Sequence, residues 1–191
     1  MKLTREEFQK YIYSYNEDEI FYKTLYLQEK EHPETFHDYC LTLDRKQIYE
    51  HRLYVPELQA EAWYPYMKET DLFHDINGNI VLSKHYRYTP VFPHEHEFFE
   101  ILCMYDGTAH TAIQGIEHTL HTGDICIIPP HTTHSVGIFD DSVAFNILVR
   151  GSTFQSTFFQ SLTADSALTQ FFAHVLYRKT EGNYLIFHSG N

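Results

Sequence analysis

Basic side chains are missing from the middle of this chain: no Lys or Arg stands between Tyr88 and Val149, while nine of the 14 lie in the first 75 positions. With 26 acidic residues against 14 basic ones the formal charge is -12, the wrong sign for a surface that holds nucleic-acid phosphates by itself. Cysteine is scarce as well. Cys40, Cys103 and Cys126 are odd in number, widely spaced and without a CxxC, which argues against a disulfide framework and a thiolate zinc site and for a reducing, cytoplasmic setting. No apolar run approaches the length of a signal-peptide core or a membrane span, and the opening MKLTREEFQK is charged and amphipathic, so a soluble protein with no membrane partner is expected. There is neither an internal repeat nor a low-complexity tract.

What the chain does contain is a face that needs explaining. In PHEHEFFEILCMYDG (Pro93 to Gly107), a strand's period of two puts His94, His96, Phe98, Glu100, Leu102 and Met104 on one side. Two imidazoles and a carboxylate thus share a face with Phe, Leu and Met. A buried carboxylate costs on the order of several kcal/mol unless something pairs with it, so the face calls for a partner. About thirty residues on, GDICIIPPHTTHS gives a turn at Gly123, a strand-like run from Asp124 to Ile128, two prolines that end it, and His134 beyond.

Composition changes near Asp75 and near Gly151, which divides the chain into residues 1–75, 76–150 and 151–191. The first part reads as a mostly helical arm: Thr4 and Glu7 have capping-box spacing, Phe8, Tyr11, Ile12 and Tyr15 make a helical stripe, and a second helix starts at Pro56, with Trp63, Tyr64 and Tyr66 as packing residues. The second part has short β-prone runs between turn signals such as Asn77-Gly78, Asp106-Gly107 and Thr122-Gly123, the texture of an antiparallel sandwich or barrel. The third returns to helix. Phe154, Phe158 and Leu162 repeat at four, and Leu168, Phe171, Phe172, Val175 and Leu176 form a second stripe, which either packs on the barrel or makes a two-fold dimer contact.

At these residues the chain resembles the cupins. His94, His96, Glu100 and Gly107 match the first cupin motif, and Gly123, Pro129 and His134 match the second. That resemblance implies a mainly β, jelly-roll antiparallel barrel in which His94, His96, Glu100 and His134 converge on one divalent metal. Three imidazoles and a carboxylate suit iron, manganese, nickel, copper or zinc. Barrels of this kind also keep such clusters without an ion, and both readings stay open. The chain departs from the motifs at Tyr88, His131 and Ile138, where cupins have glycine, glycine and asparagine; His131 is tolerable in a left-handed turn. His110, His118 and His121 read as surface or turn residues.

In a longer frame, Asn77 to Gly190 resembles the N-terminal domain of AraC-type transcriptional regulators, through FPHEHEFFEILCMYDG, LHTGDICIIPPHTTHS, a helix pair and GNYLIFHSG. The resemblance implies a barrel that binds a small effector, helices that dimerise through Leu168, Phe171, Phe172 and Val175, and DNA contacts made by a C-terminal helix-turn-helix domain that nothing in this chain matches. The ending NYLIFHSGN, straight after an apolar run, supports a longer native chain. The alternative is a free-standing metal-dependent cupin enzyme, a dioxygenase or isomerase. For the effector, Phe98, Leu102 and Met104 beside imidazoles suit a neutral sugar or polyol. Lys84 and Arg87, at opposite parities, leave at most one cation facing inward.

Overall fold

The computed structural model describes residues 4–31, 41–51, 53, 66–73, 78–154, 169–172 and 184–190. Its centre is two antiparallel sheets. One has five strands in the order β10-β7-β4-β9-β2, from Ile80–Lys84 (β2), Phe99–Asp106 (β4), Ile125–Ile128 (β7), Val143–Val149 (β9) and Leu185–Phe187 (β10). The other has three, β6-β5-β8, from Thr108–Ile113 (β5), Ile116–His121 (β6) and His134–Gly137 (β8). Tyr66–Met67 (β1) pairs in parallel with Glu95–His96 (β3), and a bridge between His94 and His134 joins that edge to β8.

The sheets face each other because their alternating apolar residues need a common interior. Leu102, Met104, Cys126, Ile128 and Ala144 from the larger sheet meet Ala109, Ile113, Leu120 and Val136 from the smaller one in a single buried cluster. This is the mainly β jelly-roll arrangement expected from the sequence. The turns are closed by residues that accept a left-handed backbone. Gly107 has φ +79°, and a Cβ there would sit 2.0 Å from Ser142 Oγ; Gly123 has φ +90°. Tyr88 (φ 61°) and His131 (φ 60°) hold the same conformation where the cupin pattern has glycine, so both departures keep the backbone geometry.

Helices wrap one side. The first, α1 (Arg5–Tyr13), opens on the expected capping box: Thr4 Oγ1 accepts from the Glu7 amide at 3.2 Å, and Glu7 Oε2 accepts from the Thr4 amide at 2.8 Å. Its apolar stripe is narrower than expected, since Ile12 is buried but Tyr11 is 70% exposed. Two further helices, α2 (Glu17–Glu31) and α3 (Arg45–Glu50), bury Tyr22, Leu25 and Ile48 against Leu53 and Tyr88. The helix expected from Pro56 lies outside the described residues, apart from its end. There Tyr66 and Met67 are a strand rather than helix, because they pair with Glu95 and His96, and α4 (Glu69–Phe73) follows.

The arm is gripped by the barrel through a buried ion cluster. Glu19, from α2, accepts from Arg87 Nε at 2.8 Å and from Lys84 Nζ at 2.8 Å. The same two cations donate to the C-terminal carbonyls of α1: Arg87 Nη2 and Lys84 Nζ reach Ser14 O at 2.8 and 2.9 Å. Both cations left as candidates for the cavity are therefore engaged by the arm.

Beyond β9 the chain packs on the outer face of the five-stranded sheet. Phe154 stacks on Phe99 at 3.9 Å between ring centroids, and Phe172 closes edge-on against Phe154 at 4.4 Å. Of the four residues expected to dimerise, Phe172 is fully buried in this cluster, Phe171 is half-buried beside it, and Leu168 and Val175 lie outside the described residues. Phe172→Ala should cost about 3–5 kcal/mol in chemical denaturation, the usual cost of emptying a buried aromatic site. A loss below 1 kcal/mol, roughly that of a surface substitution, would contradict this packing.

Candidate metal centre and effector site

The strand expected to run unbroken from His94 to Met104 is interrupted. Residues 97 and 98 leave the ladder, because Met67 on β1 takes the Glu97 amide at 3.0 Å. The shared face survives the break. His96 and Glu100 are buried and Leu102 lies at 0% exposure, while Phe98 turns aside to stack on His96 at 4.3 Å and to pack with Phe73 and Leu148. Of the residues expected to line a ligand site, Phe98 therefore backs the imidazoles. Leu102 and Met104 lie in the buried cluster between the sheets.

His94, Glu100 and His134 offer ligand atoms that all lie within 4.8 Å of one another. His96 joins them through Glu100, with Nε2 at 3.3 Å from Glu100 Oε2, and His134 Nε2 is 3.6 Å from the same oxygen. The main chain orients the rings. His134 Nδ1 faces the Thr132 carbonyl at 2.9 Å and His94 Nδ1 faces the Phe92 carbonyl at 3.3 Å, in each case the carbonyl two residues upstream. A carbonyl can only accept, so Nδ1 carries the proton in both rings, and in His134 this leaves Nε2, buried without a hydrogen-bond partner, with the lone pair that could bind an ion.

Electrostatics favour the metal-binding forms of His94, His96 and Glu100. Burial, then the charge on His134, holds His94 down at about 3. Burial also lowers His96, though Glu100 opposes it. Burial pushes the Glu100 carboxyl up, but the facing His134 and His96 outweigh it and hold the group well below the usual carboxylate range. Glu100 is thus an ionised carboxylate, with His94 and His96 both shifted toward the neutral imidazole. Cys126, on the strand beside Glu100, is pushed up to about 12 by burial and by that carboxylate, so its thiol stays protonated and is no ligand.

Sequence reasoning missed two groups. His85 and Asn146 meet between the sheets, 61 residues apart in the chain, and His85 is reached by the charges on Glu100 and His134. The β1 segment was missed too: Tyr66 stacks on His131 at 5.9 Å and its hydroxyl lies 3.1 Å from His131 Nδ1 at the rim. His110 and His121 are exposed as expected, whereas His118 is half-buried with Nε2 2.7 Å from the Tyr184 hydroxyl.

Two facing antiparallel sheets with this His and Glu set at one end define a cupin-type domain. More narrowly, the chain belongs to the family of AraC-like ligand-binding domains, which it matches over residues 78–181. Comparison with curated proteins finds no match. Among solved structures the chain is similar to a cupin protein from Bacteroides fragilis, with 23% identity over 39% of this chain and 66% of that one and a TM-score of 0.33. It is also similar to KdgF from Halomonas sp., with 22% identity over 39% of this chain and 83% of that one and a TM-score of 0.32. Similarity to the oxalate decarboxylase of Bacillus subtilis, a protein with Mn(II) centres, has 22% identity over 40% of this chain and 22% of that one, with a TM-score of 0.34. None of the described helices is long and apolar enough to cross a membrane.

Proposed function

We propose that this domain senses a small neutral, polyhydroxylated effector between its two sheets, beside a divalent transition metal held by His94, His96, Glu100 and His134. It does so as the dimerising sensor of an AraC-type regulator whose DNA contacts lie in a C-terminal helix-turn-helix domain. The observation that carries the metal is a set of orphaned nitrogens. His96 Nδ1, His96 Nε2 and His134 Nε2 are buried without a hydrogen-bond partner around a buried carboxylate. Leaving such groups unsatisfied costs roughly 1–3 kcal/mol each, and a cation satisfies several at once. When bound, the ion supplies Lewis-acid polarisation of an oxygen in the effector or in water.

Neutrality of the effector is supported by the cations. Lys84 and Arg87 grip the arm, and Arg150, the next basic residue along, donates to the Phe73 carbonyl at 3.0 Å and covers the Phe73 ring. Among the described residues of the barrel, Lys84 and Arg87 are thus withdrawn from a buried anion, while Arg150 is held at Phe73 with its Nε buried and without a hydrogen-bond partner. Dimerisation would use the half-buried Phe171 and the stripe around it, with Phe172 holding that helix on the barrel.

The reading is tested by incubating metal-loaded protein with neutral saccharides and polyols, recovering the ligand, and analysing it by mass spectrometry. A sensor returns the ligand unchanged, with thermal stabilisation, and light scattering reports a dimer at tens of micromolar, a concentration on the order of those at which such interfaces hold. Stoichiometric conversion or oxygen consumption would instead favour the enzyme, which uses the same ligand set. Stabilisation only by dicarboxylates or phosphorylated sugars would overturn the neutral effector.

A further inference from the structure

Outside the metal set, three polar atoms are also buried without a hydrogen-bond partner: Arg150 Nε, beside Phe73, and the pair His85 Nε2 and Asn146 Oδ1. The positions of the pair follow from the strand register. Asn146 lies on β9 directly opposite Leu102 of β4, between Ala144 and Leu148, which are opposite Met104 and Glu100. Directly paired residues share a face, so Asn146 points inward one strand over from Glu100 and Leu102. His85 follows β2, tied by its amide to the Ala144 carbonyl at 2.9 Å. The two side chains meet with Asn146 Nδ2 3.3 Å from His85 Nδ1.

That contact fixes a tautomer. An amide nitrogen only donates, so His85 Nδ1 accepts and the ring proton sits on Nε2. Burial pushes this imidazole down, so the neutral ring is the form present near neutrality. The pair then offers one donor, Nε2–H, and one acceptor, Asn146 Oδ1, with the Glu100 and His134 end of the site close enough to act on the ring. Each atom left alone forfeits roughly 1–3 kcal/mol, which is strong selection for a ligand group that answers both. A carboxylate or phosphate accepts from Nε2–H but meets the Oδ1 lone pairs with its own. An ammonium satisfies Oδ1 and opposes Nε2–H. A hydroxyl, or two neighbouring hydroxyls, donates and accepts together.

We propose that His85 and Asn146 form the organic half of the effector site, reading hydroxyl groups of a neutral polyol or sugar through one donated and one accepted hydrogen bond. The proposal deepens the sensor reading and rests on it, but its residues are separate from those that would hold metal.

The experiment is calorimetric titration of the whole chain, loaded with zinc, against neutral pentoses and hexoses and the matching uronic acids, with zinc content measured in parallel. Neutral sugars should bind, and His85→Leu and Asn146→Leu should each weaken them at least tenfold with zinc content unchanged. Asn146→Asp guards against loss of fold. It keeps the shape but replaces the donor to His85 with an acceptor, moving the ring proton to Nδ1, and should abolish sugar binding in a protein that still unfolds cooperatively and retains zinc. His85→Gln retains a terminal donor and should recover part of the affinity. Unchanged affinity in these variants, preference for the uronic acids, or no binding of any panel member to the folded parent would overturn the proposal. Sugar binding that depends on His85 in protein unable to retain zinc would remove the metal and leave this pair standing.

Discussion

Glu19→Ala should destabilise the protein by about 3–5 kcal/mol, the usual cost of stranding one member of a buried ion pair. Arg87 is only 1% exposed, and Glu19 is fully buried opposite it. Without the carboxylate, Arg87 keeps its carbonyl contacts at Tyr13 and Ser14 but loses the charge that offsets its desolvation. The coupling is testable in a cycle: Arg87→Met combined with Glu19→Leu should cost far less than the sum of the two single changes, since apolar replacement of both partners removes the stranded charge. The same pair sets a pH dependence. Burial pushes the Glu19 carboxyl up, but Arg87 and Lys84 outweigh it and leave the folded-state value below the ordinary one. The contribution is therefore complete above the ordinary carboxylate pKa and is lost as pH falls through the folded-state value. Parent protein should lose stability along that limb in denaturant titrations, and Glu19→Gln should show a flatter one. Equal slopes would show that the cluster holds nothing.

The barrel end of the site was legible because its determinants are local. The spacing His94, His96, Glu100, Gly107 encodes a strand face and its closing turn. Gly123 and His134 encode the next turn and the facing strand, and both glycines have the positive φ that turns of this kind demand. Even Tyr88 and His131, which break the written pattern, adopt the backbone that the pattern stands for. What the sequence hid is pairing across distance. Glu19 meets Arg87 from 68 positions away, and no local period marks either as half of a buried pair. His85 looks like any strand-end histidine until the register of β2 and β9 sets it beside Asn146. The stripe holding Phe171 and Phe172 has the period of a helix in either role. Its ring contacts with Phe99 and Phe154 and its cluster with Ile127 and Val149 set Phe172 on the barrel, and these partners are themselves apolar residues that no local period marks for that role.

Chelation followed by reloading should change stability as much as any substitution. Metal-free protein given a divalent transition metal at 100 times the dissociation constant should gain about 2.7 kcal/mol, the linkage expected for an ion that binds only the folded chain. Glu100 is an ionised carboxylate at 4% exposure, and the imidazoles of His96 and His134 approach it at 3.3 and 3.6 Å with nitrogens that have no hydrogen-bond partner. His94, held down at about 3, is neutral throughout the pH range in which the fold would be handled. A proton therefore does little at His94 near neutrality, whereas a dication satisfies the carboxylate and the nitrogens together. Glu100→Ala with His134→Ala removes the charge and one of the oriented Nε2 donors, and should abolish the metal-dependent gain while leaving the Phe99, Phe154 and Phe172 packing intact. Elemental analysis should find the metal at substantial occupancy in the parent and none in the double variant. Parent protein that holds no metal after purification without chelator, and gains no stability on reloading with zinc, nickel, manganese, iron or copper, would reduce the four residues to a buried histidine and carboxylate cluster.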